Sequence, residues 1–175
     1  MEKRLIKKDA LAGIAKKMAE KLLVWAPVKK EDNILFEPLQ KNAEPNFAYL
    51  NSKNAPKNVF FPHTETMMKY TRTPKGMVFS AEENKAVESV LFGVRPCDAH
   101  SFVLLDKLFD QEKYKDGYYI AKRQSTTVIS LACVKPPYAS CFCTSVDGEP
   151  VSSDGADILL TDIGSDYLVE FITPK

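Results

Sequence analysis

Histidine is scarce in this chain, glycine is sparse, and charge of either sign has no net excess. Only two histidines occur, His63 and His100, so a histidine-rich metal site is excluded. The seven glycines never fall in a G-x-G-x-x-G array, which removes the usual phosphate-cradling turn. Lysine plus arginine number 24 against 23 acidic residues, a balance that supplies no basic footprint for nucleic acid. No apolar run approaches the ~20 residues that span a bilayer, so membrane insertion is not expected. The opening segment is broken by Lys7, Lys8, Asp9, Lys16 and Lys17 and has no secretory h-region, so the chain reads as cytoplasmic. No Ser/His/Asp arrangement points to hydrolysis, and no repeat or low-complexity tract points to a disordered interaction tail.

What is present is the composition of an ordinary globular domain, 45% apolar and 27% charged over 175 residues, enough for one core and one domain. Apolar residues at Leu11, Ile14, Ala15, Met18, Leu22 and Trp25 recur at helical spacing. They predict an amphipathic helix over 9–25, stopped by Pro27. From Asn33 to Tyr70 the pattern is irregular, with short strands expected at Ile34–Phe36 and Val59–Phe61 and a short helix starting near His63 or Thr64. Met77–Phe79 reads as another strand.

The middle is more regular. Ser89–Val94 is a continuous apolar run of strand length, the pattern of a strand buried on both faces. A turn at Arg95-Pro96-Cys97-Asp98 leads into a helical stripe of Phe102, Leu104, Leu105, Leu108 and Phe109, with Asp98 or Ser101 as cap. Thr127–Ala132 is a second apolar strand, completing a βαβ unit. Asp157–Asp162 and Tyr167–Ile172 flank Gly164-Ser165-Asp166 as a β-hairpin. The expected fold is therefore α/β: a mixed sheet with a central βαβ unit, an N-terminal amphipathic helix and a C-terminal hairpin.

Four cysteines remain to be placed. Cys97 and Cys133 follow two strands expected to be parallel neighbours, where open α/β sheets form their sites. Cys141 and Cys143 follow in a loop that Pro136-Pro137 can turn back toward the same edge. Four converging thiolates suit an iron–sulfur cluster or zinc equally well. The spacing matches neither a C-x2-C knuckle nor a ferredoxin run, so buried structural thiols and redox-active thiols stay open beside a metal site. A nucleophile at Cys141 or Cys143 is one form of the last. Arg95 adds positive charge beside Cys97, unless it pairs with Asp98 or Asp106. His100, on the helix after Cys97, is read as a packed or solvated residue rather than a ligand, and so, with slightly less weight, is His63 in its turn.

At Phe61-Pro-His-Thr-Glu65, Leu91-Phe-Gly-Val-Arg-Pro-Cys-Asp98, Asp116-Gly-Tyr-Tyr119 and Ser140-Cys-Phe-Cys-Thr-Ser145, from about Trp25 onward, the sequence resembles a known group. It is similar to the β subunits of cytoplasmic nickel–iron sulfhydrogenases and the A subunit of anaerobic sulfite reductase. The resemblance implies a non-catalytic electron-transfer subunit that relays electrons between a flavin- and NAD(P)-binding subunit and a catalytic redox subunit. It implies an iron–sulfur cofactor, 4Fe–4S favoured, on Cys97, Cys133, Cys141 and Cys143 with Arg95 beside them, and zinc as the alternative. Such subunits continue into a ferredoxin-like part with C-x2-C-x2-C-x3-C-P runs, which residues 1–175 lack, so the expectation is an N-terminal domain of a longer subunit. The alternative is a docking or structural domain of such a complex, its cysteines buried or zinc-bound.

Overall fold

The computed structural model describes residues 2–81 and 87–175. A short strand β1 (Lys3–Lys7) runs directly into helix α1 (Lys8–Ala19). Leu11 and Ala15 are its buried residues, and Ile14 and Met18 pack beside them. Asp9 in the first turn and Lys16 and Lys17 in the last complement the helix dipole. The helix ends six residues earlier than the periodicity predicts, and Leu22 and Trp25 lie beyond it. Leu23–Lys30 is instead strand β2, because the run Leu-Val-Trp-Ala-Pro-Val is continuously apolar and fits a strand covered on both faces. Pro27 therefore stops no helix. It sits within the strand at a point where the ladder to the neighbouring strand has already ended, at Trp25, so its missing N–H removes no rung.

Strand β3 (Asn33–Pro38) pairs antiparallel with β2, as expected for Ile34–Phe36. Val59–Phe61 is not a strand: Pro56–Val59 forms a 3-10 turn, and Phe60 plugs into the core edge-on to Phe102 at 4.8 Å. No helix starts at His63 or Thr64. Glu65 is held by Lys122, and the hydroxyl of Tyr118 donates to the Met67 carbonyl, which stretches the segment out toward β4 (Met68–Thr73) and β5 (Gly76–Ala81). These two strands form a separate antiparallel ribbon.

All six residues of β6 (Ser89–Val94) are buried, as a two-sided apolar run requires. Helix α2 (Pro96–Phe109) follows, then a helix the periodicity did not indicate, α3 (Gly117–Ser125), capped by Asp116 accepting from the Tyr118 and Tyr119 amides. The buried stripe of α2 is Ala99 and Phe102 with Leu105 and Phe109 packed alongside, whereas Leu104 and Leu108 face outward. Strands β7 (Thr126–Leu131), β8 (Ile158–Asp162) and β9 (Asp166–Phe171) complete a seven-stranded sheet of order β1-β9-β8-β7-β6-β2-β3. The pairings β2–β6, β6–β7 and β7–β8 are parallel, and β8–β9 is the expected antiparallel hairpin.

Alternation along the central strands divides the core in two. Val90, Phe92, Ile129 and Leu131 pack with α1 on one face. Leu91, Val94 and Val128 pack with Phe102 and Tyr119 on the other. Each fully buried side chain of this kind stabilises by roughly 1.5–3 kcal/mol. The parallel strands are thereby fixed with their carboxyl ends along one edge. Among the described residues no helix is long and apolar enough to cross a membrane.

Candidate functional site

Strand β6 does not end straight. Gly93 takes a left-handed φ of +85°, and the register with β7 shifts between Phe92 and Val94. This bulge re-aims the chain just before Arg95, as bulges commonly do beside sites. Only glycine fits there, since an added Cβ would lie 2.8 Å from Cδ1 of Phe47. The Gly93 carbonyl accepts a 2.8 Å bond from the buried Tyr49 hydroxyl.

Arg95 occupies the cap position of α2 without capping it by its side chain, and Pro96 is the first helical residue. Neither Asp98 nor Ser101 is the cap: Asp98 lies in the first turn, and Ser101 bonds back to the Asp98 carbonyl at 2.6 Å. The guanidinium pairs with neither Asp98 nor Asp106 by a salt bridge. Asp106 is taken by Arg123 at 3.2 Å. Arg95 instead donates to the carbonyls of Leu131 and Ala132, each at 3.4 Å, and to that of Tyr49, and lies 4.6 Å over the Tyr49 ring. It ties the end of β7 to the Tyr49 loop, while its buried Nε has no hydrogen-bond partner. Arg95 thus tethers backbone and borders the site at once.

Cys97 sits in the first turn of the 14-residue α2. Its own N–H and that of Asp98 favour the thiolate, but desolvation by the crowded cavity wall, the Asp98 carboxylate and Cys143 outweigh them and push the thiol up to about 11. Burial likewise raises Asp98 to about 6, against the pull of Arg95. Cys133 follows β7. Its N–H donates to the Pro150 carbonyl at 2.8 Å, and its thiol donates to the Lys135 carbonyl at 3.3 Å. Burial raises this thiol too, Arg95 lowers it, and Cys141 and Cys143 raise it again. The same crowding that penalises a lone thiolate favours one whose charge is met by a metal centre.

The chain then returns past Pro136-Pro137. Cys141 donates its N–H to the Tyr138 carbonyl at 3.1 Å, and Cys143 opens a 3-10 turn, Cys143–Val146, ended by Asp147 at φ +57°. Gly148 donates back to the Cys143 carbonyl at 2.9 Å. Farther on, Gly155, at φ +75°, lies so close to α2 that an added Cβ would stand 2.1 Å from the Ala99 carbonyl oxygen.

The result is one cavity of about 440 Å³ bordered by Arg95, Cys97, His100, Cys133, Cys141 and Cys143. Proline and aromatic side chains, among them Pro96, Tyr138 and Phe142, complete its wall. The four cysteines are reduced, with Cys97 and Cys141 exposed and Cys133 and Cys143 half-buried. His100 faces Asp154 at 3.7 Å, while His63 is exposed on the run before β4 and does not border the cavity. Tyr49 carried no sequence signal of importance, because its role arises from contacts to Gly93 and Arg95 across the fold.

Four thiolates serve either of two metal groups. Tetrahedral zinc needs four ligands converging on one point, with Zn–S near ~2.3 Å. Among the described residues no group of three or more His, Cys, Asp or Glu side chains is gathered so as to hold one ion. A multi-iron cluster has bulk of its own and takes thiolates on separate corners, so four thiols around a cavity fit it in kind and number.

This chain is similar to sulfhydrogenase 2 subunit beta of Pyrococcus furiosus. The two are 28% identical over 152 residues, which is 83% of this chain and 41% of that protein. The chain thus spans well under half the length of that relative. No family model matches the chain, and no solved structure matches it.

Proposed function

We propose that this chain is an iron–sulfur electron-transfer domain, the N-terminal part of a longer cytoplasmic subunit in an anaerobic redox complex of the hydrogenase or sulfur- or sulfite-reducing type. The observation that carries the reading is that every cysteine of the chain borders one cavity at the carboxyl ends of β6 and β7. Similarity to a sulfhydrogenase β subunit supports it. Bound there, an iron–sulfur cluster, 4Fe–4S favoured, supplies one-electron chemistry. Cys97, Cys133, Cys141 and Cys143 hold it. Arg95 places positive charge beside the cysteines, and the first turn of α2 presents backbone N–H groups near Cys97, both of which favour the reduced state. Tyr138 and Phe142 border the cavity as its aromatic wall. Electrons pass between a flavin- and NAD(P)-binding subunit and a catalytic redox subunit, and this chain needs no general acid or base.

Iron, zinc and acid-labile sulfide content of anaerobically purified protein tests the reading. The expected result is brown protein with several iron and sulfide per chain, both depleted by Cys143→Ser. Stoichiometric zinc, or colourless metal-free protein from a strictly anaerobic preparation, would replace the relay by a docking domain. Rapid alkylation of Cys141 or Cys143 at neutral pH in metal-free protein would replace it by a thiol enzyme.

A further inference from the structure

The ribbon of β4 and β5 stands apart from the seven-stranded sheet. Residues directly opposite in an antiparallel pair share a face. The pairs Met68↔Ala81, Tyr70↔Phe79 and Arg72↔Met77 therefore line one face, and Lys69↔Ser80, Thr71↔Val78 and Thr73↔Gly76 the other. The first face is apolar and open to solvent: Met68 is 59% exposed, Tyr70 70%, Met77 60% and Phe79 60%. Tyr70 and Phe79 lie ring to ring at 6.4 Å. Soluble proteins seldom leave a two-stranded ribbon uncovered with a contiguous apolar face, since both its edges and its face invite association.

The charges on this ribbon select what covers it. Lys75 stands in the turn at the tip of the ribbon. Arg72 sits on the apolar face itself. A second copy of the same ribbon would set like charges against each other, which disfavours self-pairing. A bilayer is disfavoured too, because the tip carries Pro74 and Lys75 and Arg72 would have to enter hydrocarbon. What remains is a protein surface with an apolar centre and carboxylates at its rim, met by an aromatic and arginine patch of the kind that anchors interfaces.

We infer that the apolar face of the β4–β5 ribbon docks an acid-rimmed apolar surface of another subunit. This rests on the reading of the chain as one component of a redox complex. The base of the ribbon is already tied to α3 through Glu65–Lys122 and Tyr118–Met67, so a docked subunit is held in a set relation to the main body.

The test is site-specific photo-crosslinking in the full chain, expressed in its native host and isolated anaerobically with its bound subunits. A photoreactive side chain at position 70 is expected to join a co-purifying polypeptide at a peptide rich in Asp or Glu, whereas the same group at position 71, on the polar face, does not. The paired changes Tyr70→Ser and Phe79→Ser, and separately Arg72→Glu, are each expected to lower partner recovery at least ~10-fold, the scale of losing an interface anchor. Thermal melting and iron content stay unchanged. Equal crosslinking from positions 70 and 71, crosslinks only to a second copy, or undiminished partner recovery would overturn the docking face. So would binding of wild-type protein to phosphatidylcholine vesicles that is lost in the Tyr70→Ser/Phe79→Ser variant. If wild type crosslinks as expected but carries no iron, the electron-transfer reading falls and the docking face stands; iron with unchanged partner recovery sinks the docking face alone.

Discussion

Cys97 and Cys133 are held quite differently from Cys141 and Cys143. The first pair lies at the ends of β6 and β7, strands buried on both faces and locked by the parallel ladder between them. Arg95 and Tyr49 brace that side further. The second pair lies in a loop where short-range backbone bonds, Cys141 to Tyr138 and Gly148 to Cys143, do most of the holding. Half of the site is thus preorganised by the core, and half is set by turns that a bound cofactor can tighten. Where metal binding completes a partly formed site, its free energy becomes local folding energy.

The comparison can be broken or sharpened in order of expected effect. Gly155→Ala forces a Cβ onto the Ala99 carbonyl at a left-handed residue. It should detach the far end of the cysteine loop from α2 and cost about 3 kcal/mol or more in urea denaturation. A loss below ~1 kcal/mol would mean that the loop is not clamped there. Gly93→Ala attacks the strand-borne side, where the new methyl meets Phe47, and should cost about 2 kcal/mol while lowering iron content. Arg95→Lys keeps the charge but gives up the stack on Tyr49 and the forked bonds to carbonyls. A loss of about 1–2 kcal/mol is expected, and unchanged melting would show that the fork is dispensable.

Removing the proposed cluster by chelation should separate the two halves directly. Amide exchange should speed up across 134–151 and stay slow in β6 and β7, as read by hydrogen-exchange mass spectrometry; equal loss in both would erase the distinction. Smallest of all is the pair Lys8–Asp162, joined at 2.6 Å on the wall of a second cavity that Arg95 and Cys133 also border. Its hydrogen bond holds Asp162 below the usual carboxylate range and Lys8 above the usual ammonium range. The stability it adds is present between those limits. It fades in acid as pH falls through the lowered Asp162 value, and in alkali as pH rises through the raised Lys8 value. Asp162→Asn should flatten both shoulders of a melting-temperature profile.

How much of this was legible follows from what each residue senses. The two-sided strands β6 and β7 and the hairpin β8–β9 declared themselves, because burial on known faces writes itself into apolar runs and Gly-Ser-Asp turns. The placement of Cys97 and Cys133 at one edge came with them. Helix α1 was read too long because Leu22 and Trp25 happen to continue its stripe, although they serve a strand next door. Strand β1 and helix α3 were missed: Lys-Arg-Leu-Ile-Lys carries one weak alternation, and the cap Asp116 is a single residue in a polar stretch. Val59–Phe61 looked like a strand since a plug and a strand both need apolar residues. Arg95 borders the same cavity as the cysteines, but its carbonyl partners and the Tyr49 brace depend on distant backbone that no local pattern encodes.

The pairing of β1 with β9 has a consequence for how the molecule is made. Lys3 lies opposite Glu170 and Lys7 opposite Asp166, so among the described strands β1 finds its only neighbour in β9, far along the chain. During translation that segment must wait, its rungs satisfied by water, until β9 has left the ribosome. Such long-range closure makes for slow, late completion, with the central strands assembled first and the margin of the sheet zipped shut afterwards.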